Sequence, residues 1–148
     1  MNQQQFDSKI KDALKSTVAN YAHAGVTGTY PYLLKRAREE LRDTYLIDAA
    51  VGLPGCPRER AMAILGRVRK FANQRRKRWA INGIPKNASR EEAALAHAFF
   101  TRAQMPDRIE AFEIILAQAD RPNKNGRVRG ANACSDKDRT DHKGEKQS

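Results

Sequence analysis

The segment RKFANQRRKRW, which runs from Arg69 to Trp79, carries six basic residues in eleven positions. Two clusters of arginine and lysine flank an uncharged amide pair, Asn73 and Gln74. Guanidinium and ammonium groups at this density suit phosphate oxygens, and side-chain amides can pair with adenine in a DNA major groove. Like charges one turn apart destabilise a helix by about 0.3 kcal/mol per pair, so this repulsion calls for an anionic partner. We therefore expect this segment to bind a polyphosphate.

The positive charge is concentrated in one part of the chain. The net charge is +11, and residues 58–90 contain eleven basic residues against one acidic residue. Residues 91–120 have the opposite balance, with six acidic residues against two basic ones. Ordinary surfaces mix both signs, so the basic segment favours nucleic-acid binding over a merely solvated face. The acidic segment can balance the fold, mask the basic helix or bind a partner protein, and the sequence leaves these three open.

The candidate nucleic-acid-binding residues lie along a helix predicted over residues 57–82 and just after it. Steps of three and four place Arg67, Lys70 and Lys77 on its outer side, where they and Arg78 are the best candidates for phosphate contacts. The other candidates can share that role or reach base edges. The complete set is Arg67, Arg69, Lys70, Asn73, Gln74, Arg75, Arg76, Lys77, Arg78 and Lys86.

The residue types that commonly support catalysis or bind metal ions form no recognisable pattern. The two cysteines, Cys56 and Cys134, and the three histidines, His23, His97 and His142, lack the spacing of zinc ligands. The sequence also has no P-loop, no Rossmann glycine motif and no paired-carboxylate motif. We therefore expect no enzymatic activity, no cofactor and no metal site. A reactive thiol at Cys56, ahead of the basic helix, is the alternative.

Two helices are predicted before the basic segment. The first covers residues 3–24, and apolar residues recur every fourth position along it. These residues are Phe6, Ile10, Leu14 and Val18. The second begins near Pro31, since proline suits the first helical turn, and it ends at Gly52. The connector GLPGCP contains two prolines and changes the direction of the chain.

Two further helices are predicted after the basic one. Ser89 and Glu92 have the spacing of a capping box, which opens the fourth helix. Pro106 divides that helix from a fifth, which Asp107 can cap. No segment alternates apolar and polar residues as a strand would. The expected fold class is all-α, with about five helices in one small domain over residues 1–120.

Residues 121–148 form a basic C-terminal tail that we expect to be disordered. They contain one branched aliphatic residue, Val128, and no aromatic residue, so they can bury little apolar surface to offset the entropy of ordering. The stretch NKNGRVRGAN suits a flexible arm along a phosphate backbone, and it suits a solubilising terminus equally well.

The aromatic residues are predicted to be structural. We expect Trp79 to close the base of the third helix, with stacking on an unpaired base as the alternative. Tyr30 and Tyr32 are predicted to anchor their loop to the core. Phe99 and Phe100 are predicted to be core residues of the fourth helix.

These observations favour a small regulatory DNA-binding protein that docks its third helix on a duplex. The second and third helices resemble a helix-turn-helix loosely, because the connector and the third helix are longer than usual. An RNA-binding or RNA-chaperone protein is the second hypothesis, and an adaptor or inhibitor that docks an acidic protein is the third. DNA is favoured over RNA, and the apolar stripe of the first helix suggests a homodimer. No stretch suits a membrane span or a signal peptide, so a cytoplasmic location is expected.

Overall fold

The computed structural model describes residues 1–119, and all regular structure in that range is helical. The all-α prediction is confirmed, although the range contains six helices and not five. The helices are α1 (Gln3–His23), α2 (Tyr30–Ala49), α3 (Pro57–Gln74), α4 (Arg76–Asn82), α5 (Arg90–Phe100) and α6 (Ile109–Ala119). The predicted disordered tail, with its basic arm, lies outside the described residues.

Polar side chains cap the N-terminal ends of three helices, where the first backbone N–H groups have no partner within the helix. Asn2 forms a reciprocal capping box at the start of α1. Thr29 caps α2 and Pro31 occupies its first turn, as predicted. The Ser89 hydroxyl accepts a hydrogen bond from the Glu92 backbone N–H at 3.1 Å, which confirms the predicted start of α5. Caps of this kind stabilise a protein by about 1 kcal/mol each.

The helix predicted over residues 57–82 is broken at Arg75, and this break creates the sixth helix. The buried residues of α3 recur at steps of three and four, and Arg75 occupies the next position of that stripe. A continuous helix would therefore direct a guanidinium group into the core, where an unpaired charge is costly. Arg75 instead has φ −129° and ψ −23°, between the end of α3 and the start of α4.

A single core connects all six helices. α2 packs most extensively against α5, and it also contacts α1 and α6, while α3 packs mainly against α6. The bulkiest fully buried apolar side chains come from all of the longer helices. They are Phe6, Leu46, Ile64, Phe100, Phe112 and Leu116.

This packing does not fit the helix-turn-helix comparison. In that motif, two consecutive helices pack against each other across a short turn. Here the main neighbour of α2 is α5 and that of α3 is α6, so α2 and α3 make at most marginal contact. The connector GLPGCP therefore carries the chain from one pair of helices to another.

Most predicted core aromatics are buried, and two tyrosines are not. Trp79, Phe99 and Phe100 are buried, as expected. The prediction for Tyr30 and Tyr32 is wrong, because about half of each side chain remains exposed, 54% and 50%. Both lie in the first turn of α2, before the apolar stripe of that helix meets its neighbours.

The apolar stripe of α1 is buried within the chain itself. Phe6, Ile10, Leu14 and Val18 all belong to the core cluster. The observation that suggested a homodimer is therefore explained by intramolecular packing. Within residues 1–119, no helix combines the length and the apolar character needed to cross a membrane.

Candidate nucleic-acid interface

The outward side of α3 carries a row of exposed polar residues. Apolar residues of α3 pack inward, so the residues between them face solvent. Arg69, Lys70 and Asn73 follow one another at steps of one and three, and all three are exposed. This part of the predicted site therefore lies together on one side of one helix.

Arg67 and Arg75 face the beginning of α5 and are paired with carboxylates there. Arg67 forms an ion pair with Glu91, and Arg75 forms one with Glu92. The Arg75 guanidinium also lies 5.6 Å from the centre of the Trp79 ring. Lys70 and Gln74 line the same groove, which has a volume of about 340 Å³. Of the three roles left open for the acidic segment, the structure shows that its first two glutamates partly mask the basic helix.

Arg69 and Arg76 have other partners. The Arg69 guanidinium donates a hydrogen bond to the backbone carbonyl of Asp107 at 3.2 Å, so this side chain leans toward the loop before α6. The Arg76 guanidinium lies 5.0 Å from the centre of the Phe99 ring on α5. Both side chains remain exposed, so these contacts orient the cations without neutralising them.

Besides Arg69 and Arg76, four predicted cations have no carboxylate partner among residues 1–119. These are Lys70, Lys77, Arg78 and Lys86, and all four are exposed. Lys70 lies on α3 and the next two lie on α4, whereas Lys86 lies in the loop between α4 and α5. The structure thus places three of these cations on two consecutive helices and leaves Lys86 on a separate loop.

Sequence reasoning missed Arg102, which follows α5. This residue lines a cavity together with Arg76 and Lys77. Its sequence context, FFTRAQMP, contains no basic cluster and no spacing that would identify it. The contact arises only because the end of α5 packs beside the junction of α3 and α4.

His97 lies away from the cations, inside an aromatic cluster. Its ring centre is 5.5 Å from that of Phe6 and 5.1 Å from that of Tyr45. Burial lowers the pKa of His97, and the positive charges of Lys9 and the N-terminus lower it further, against a smaller opposing effect of Asp48. An imidazole in these surroundings is a neutral packing group.

Potential metal ligands are dispersed in the part of the chain that the structure describes. No three His, Cys, Asp or Glu residues of that part are grouped closely enough to hold an ion. The candidate interface therefore consists of cations, two amides and the carboxylates that face them. No known protein family, curated protein or solved structure matches this chain.

Proposed function

We propose that this protein binds nucleic acid, with DNA favoured over RNA, and that the outer side of α3 and α4 contacts the phosphate backbone. In this role the protein would be a small DNA-binding regulator located in the cytoplasm. The carrying observation is that Lys70, Lys77 and Arg78 are exposed and have no carboxylate partner within residues 1–119. When exposed cations of a protein neutralise phosphates, the counterions condensed on the nucleic acid are released, and this release drives association.

The amides of the segment support the same proposal. Asn73 and Gln74 are exposed beside these cations and engage no other side chain within the described helices. Side-chain amides in such a position can pair with adenine once the phosphate contacts have set the orientation. Phosphate contacts would supply affinity, and the amides would supply a modest preference for base sequence.

RNA is the second candidate ligand, and the break at Arg75 favours it. Because α3 and α4 are separate helices, the cationic surface does not follow one straight axis. A straight helix suits a DNA major groove, whereas RNA-binding proteins more often contact loops and bulges of irregular shape.

Salt-dependent binding tests the proposal. We would measure the affinity of the full chain for a duplex DNA, an RNA hairpin and an acidic polypeptide between low and physiological salt. The logarithm of the association constant should fall linearly with the logarithm of salt concentration for nucleic acid. The triple variant K70A/K77A/R78A should weaken binding by roughly tenfold or more, and the slope should fall by about one for each cation that contacts a phosphate.

A variant of equal charge provides the control. K11A/K15A/K35A removes three exposed lysines from α1 and α2, so it lowers the net charge by the same amount at another surface. It should change affinity much less than the first triple variant. Equal effects of the two variants, or stronger binding to the acidic polypeptide than to either nucleic acid, would contradict the proposed interface.

A further inference from the structure

A second cavity adjoins the candidate interface at the junction of α3 and α4. Its volume is about 540 Å³, which lies within the usual range for small-ligand sites. The walls come from the N-terminal end of α1, from α3, α4 and α5, and from the residue that follows α5 by two positions. The lining includes Gln3, Arg76, Lys77, Phe99, Phe100 and Arg102.

The charge of this cavity is positive. Arg76, Lys77 and Arg102 all line it, and residues 1–119 contribute no acidic side chain to its wall. Arg102 forms an ion pair with Asp7 at 2.9 Å, in which the arginine side chain is 60% exposed. Exposed pairs contribute about 0–1 kcal/mol, so a phosphate can replace the carboxylate of Asp7 at little cost. The cavity is thus suited to an anionic ligand.

One wall presents a flat cationic group. The Arg76 guanidinium lies over the Phe99 ring, and that ring is also stacked on Phe71 with 5.5 Å between ring centres. Phe99 is buried, so the Arg76 guanidinium contacts a ring whose position is fixed by the core. Arg76 itself is exposed, and it lines the cavity. Unpaired bases stack on guanidinium planes of this kind.

The backbone at Arg102 adds an independent observation. Arg102 has φ +63°, the only positive value of a non-glycine residue within the described range. This left-handed conformation costs a residue with a side chain about 1 kcal/mol or more relative to glycine. Glycine is the common residue at such a position after a helix, so the arginine side chain occupies a site that its backbone disfavours.

Buried contacts hold that backbone in place. Thr101 is fully buried, and its hydroxyl donates to the carbonyl of Ala98 at 2.7 Å. The Arg38 guanidinium donates to the Thr101 carbonyl at 3.0 Å. These contacts fix the backbone position from which the Arg102 side chain reaches the cavity.

We propose that this cavity binds an unpaired nucleotide, with its base stacked on Arg76 and its phosphate held by Lys77 and Arg102. The inference rests on the proposed nucleic-acid function and deepens it, because it names the form of ligand that the site accepts. A base within an intact duplex cannot reach a guanidinium plane set in a cavity, whereas an unpaired base can. The chemistry is shared by a nucleotide of a single strand and by a free nucleoside monophosphate.

Fluorescence anisotropy with the full chain tests this inference. The probes are a labelled single-stranded oligonucleotide and a duplex of the same sequence, and a free nucleoside monophosphate serves as competitor. We expect the single strand to bind several-fold more tightly than the duplex at equal salt. Displacement by micromolar monophosphate would identify free nucleotide as the ligand, whereas resistance to millimolar monophosphate would identify a strand; each result supports the cavity.

Two glycine substitutions separate binding from folding. R102G should lower single-strand affinity by roughly tenfold while the protein unfolds at the same or a higher temperature, because glycine relieves the left-handed backbone. R108G removes another exposed arginine just before α6, and it should leave the preference for the single strand unchanged. R76A should reduce the same preference by removing the stacking surface.

The possible failures are distinguishable. Equal, salt-dependent binding of single strand and duplex, with no difference between R102G and R108G, would overturn the cavity inference and leave the proposed function in place. Salt-independent or absent binding to both probes would overturn the proposed function together with the inference.

Discussion

His97 holds a neutral imidazole in an aromatic cluster, and this has a consequence for stability. The groups that face it come from two neighbouring helices and from the chain terminus: Phe6, Lys9, Tyr45, Asp48 and the N-terminal amine. Burial is the largest cause of its lowered pKa. The unfolded chain therefore takes up a proton at a higher pH than the folded chain does.

We expect the free energy of unfolding to decrease as the pH falls through the ordinary histidine pKa of 6.5. In that range the unfolded state binds more protons than the native state, so stability rises with pH. The loss should level off below the folded pKa, where both states are protonated. Urea unfolding at pH values between about 7.5 and 5 measures this dependence.

The substitution H97F preserves an aromatic ring without a titrating group, and it should flatten that pH dependence. H23Q provides the comparison, because His23 is exposed at the end of α1. If the pH dependence survives H97F but disappears in H23Q, it arises from His23, and the prediction for His97 is wrong.

At the scale of the helices, α3 contains a glycine that the fold does not require. A Cβ atom added at Gly66 would meet no heavy atom within 4 Å, and the residue is exposed. G66A should therefore stabilise the protein by about 0.5–1 kcal/mol through helix propensity. Denaturant unfolding measures the change. G83A is the control, and the same substitution should destabilise the protein there, because Gly83 has φ +92°, which alanine disfavours.

The first turn of α5 opposes the proposed ligand. Glu91 and Glu92 pair with two of the candidate cations, so a polyanion must displace these carboxylates. E91Q/E92Q should raise affinity for nucleic acid several-fold at low salt, and the gain should shrink as salt screens all charges. The same change should lower stability modestly, because the negative charges of both glutamates interact favourably with the positive N-terminal end of the α5 dipole.

The control for this prediction is E40Q/E110Q, which removes two exposed carboxylates from α2 and α6. It raises the net charge equally but leaves the pairs with Arg67 and Arg75 intact. If both double variants increase affinity by the same factor, the effect reflects overall charge, and local masking by α5 is excluded.

At the scale of the whole molecule, apolar spacing predicted the helices well. Regular steps of four identified the inward side of α1, Pro31 placed the start of α2, and the Ser89 cap placed the start of α5. The break at Arg75 had a readable signal, since a charged residue occupies the next position of the apolar stripe of α3. The exposure of Tyr30 and Tyr32 had none, because it depends on where α2 meets its neighbours.

The candidate site was less predictable for a physical reason. Sequence spacing indicates which side chains leave one helix on the same side, and it predicted the exposure of Lys70 and Lys77. It does not indicate which carboxylates of another helix lie opposite. The pairing of α3 with α5 and the approach of Arg102 to α4 both depend on tertiary packing between distant segments.

The interruption at Arg75 also limits how much polymer one molecule can cover. The cationic part from Arg67 to Asn82 would extend about 24 Å if it were straight, at 1.5 Å per residue, and the bend shortens it. That corresponds to about seven base pairs or fewer at 3.4 Å each. A protein with a footprint of this size can recognise a local feature of a polymer far more readily than a unique sequence in a genome. Many molecules should therefore occupy one long strand side by side.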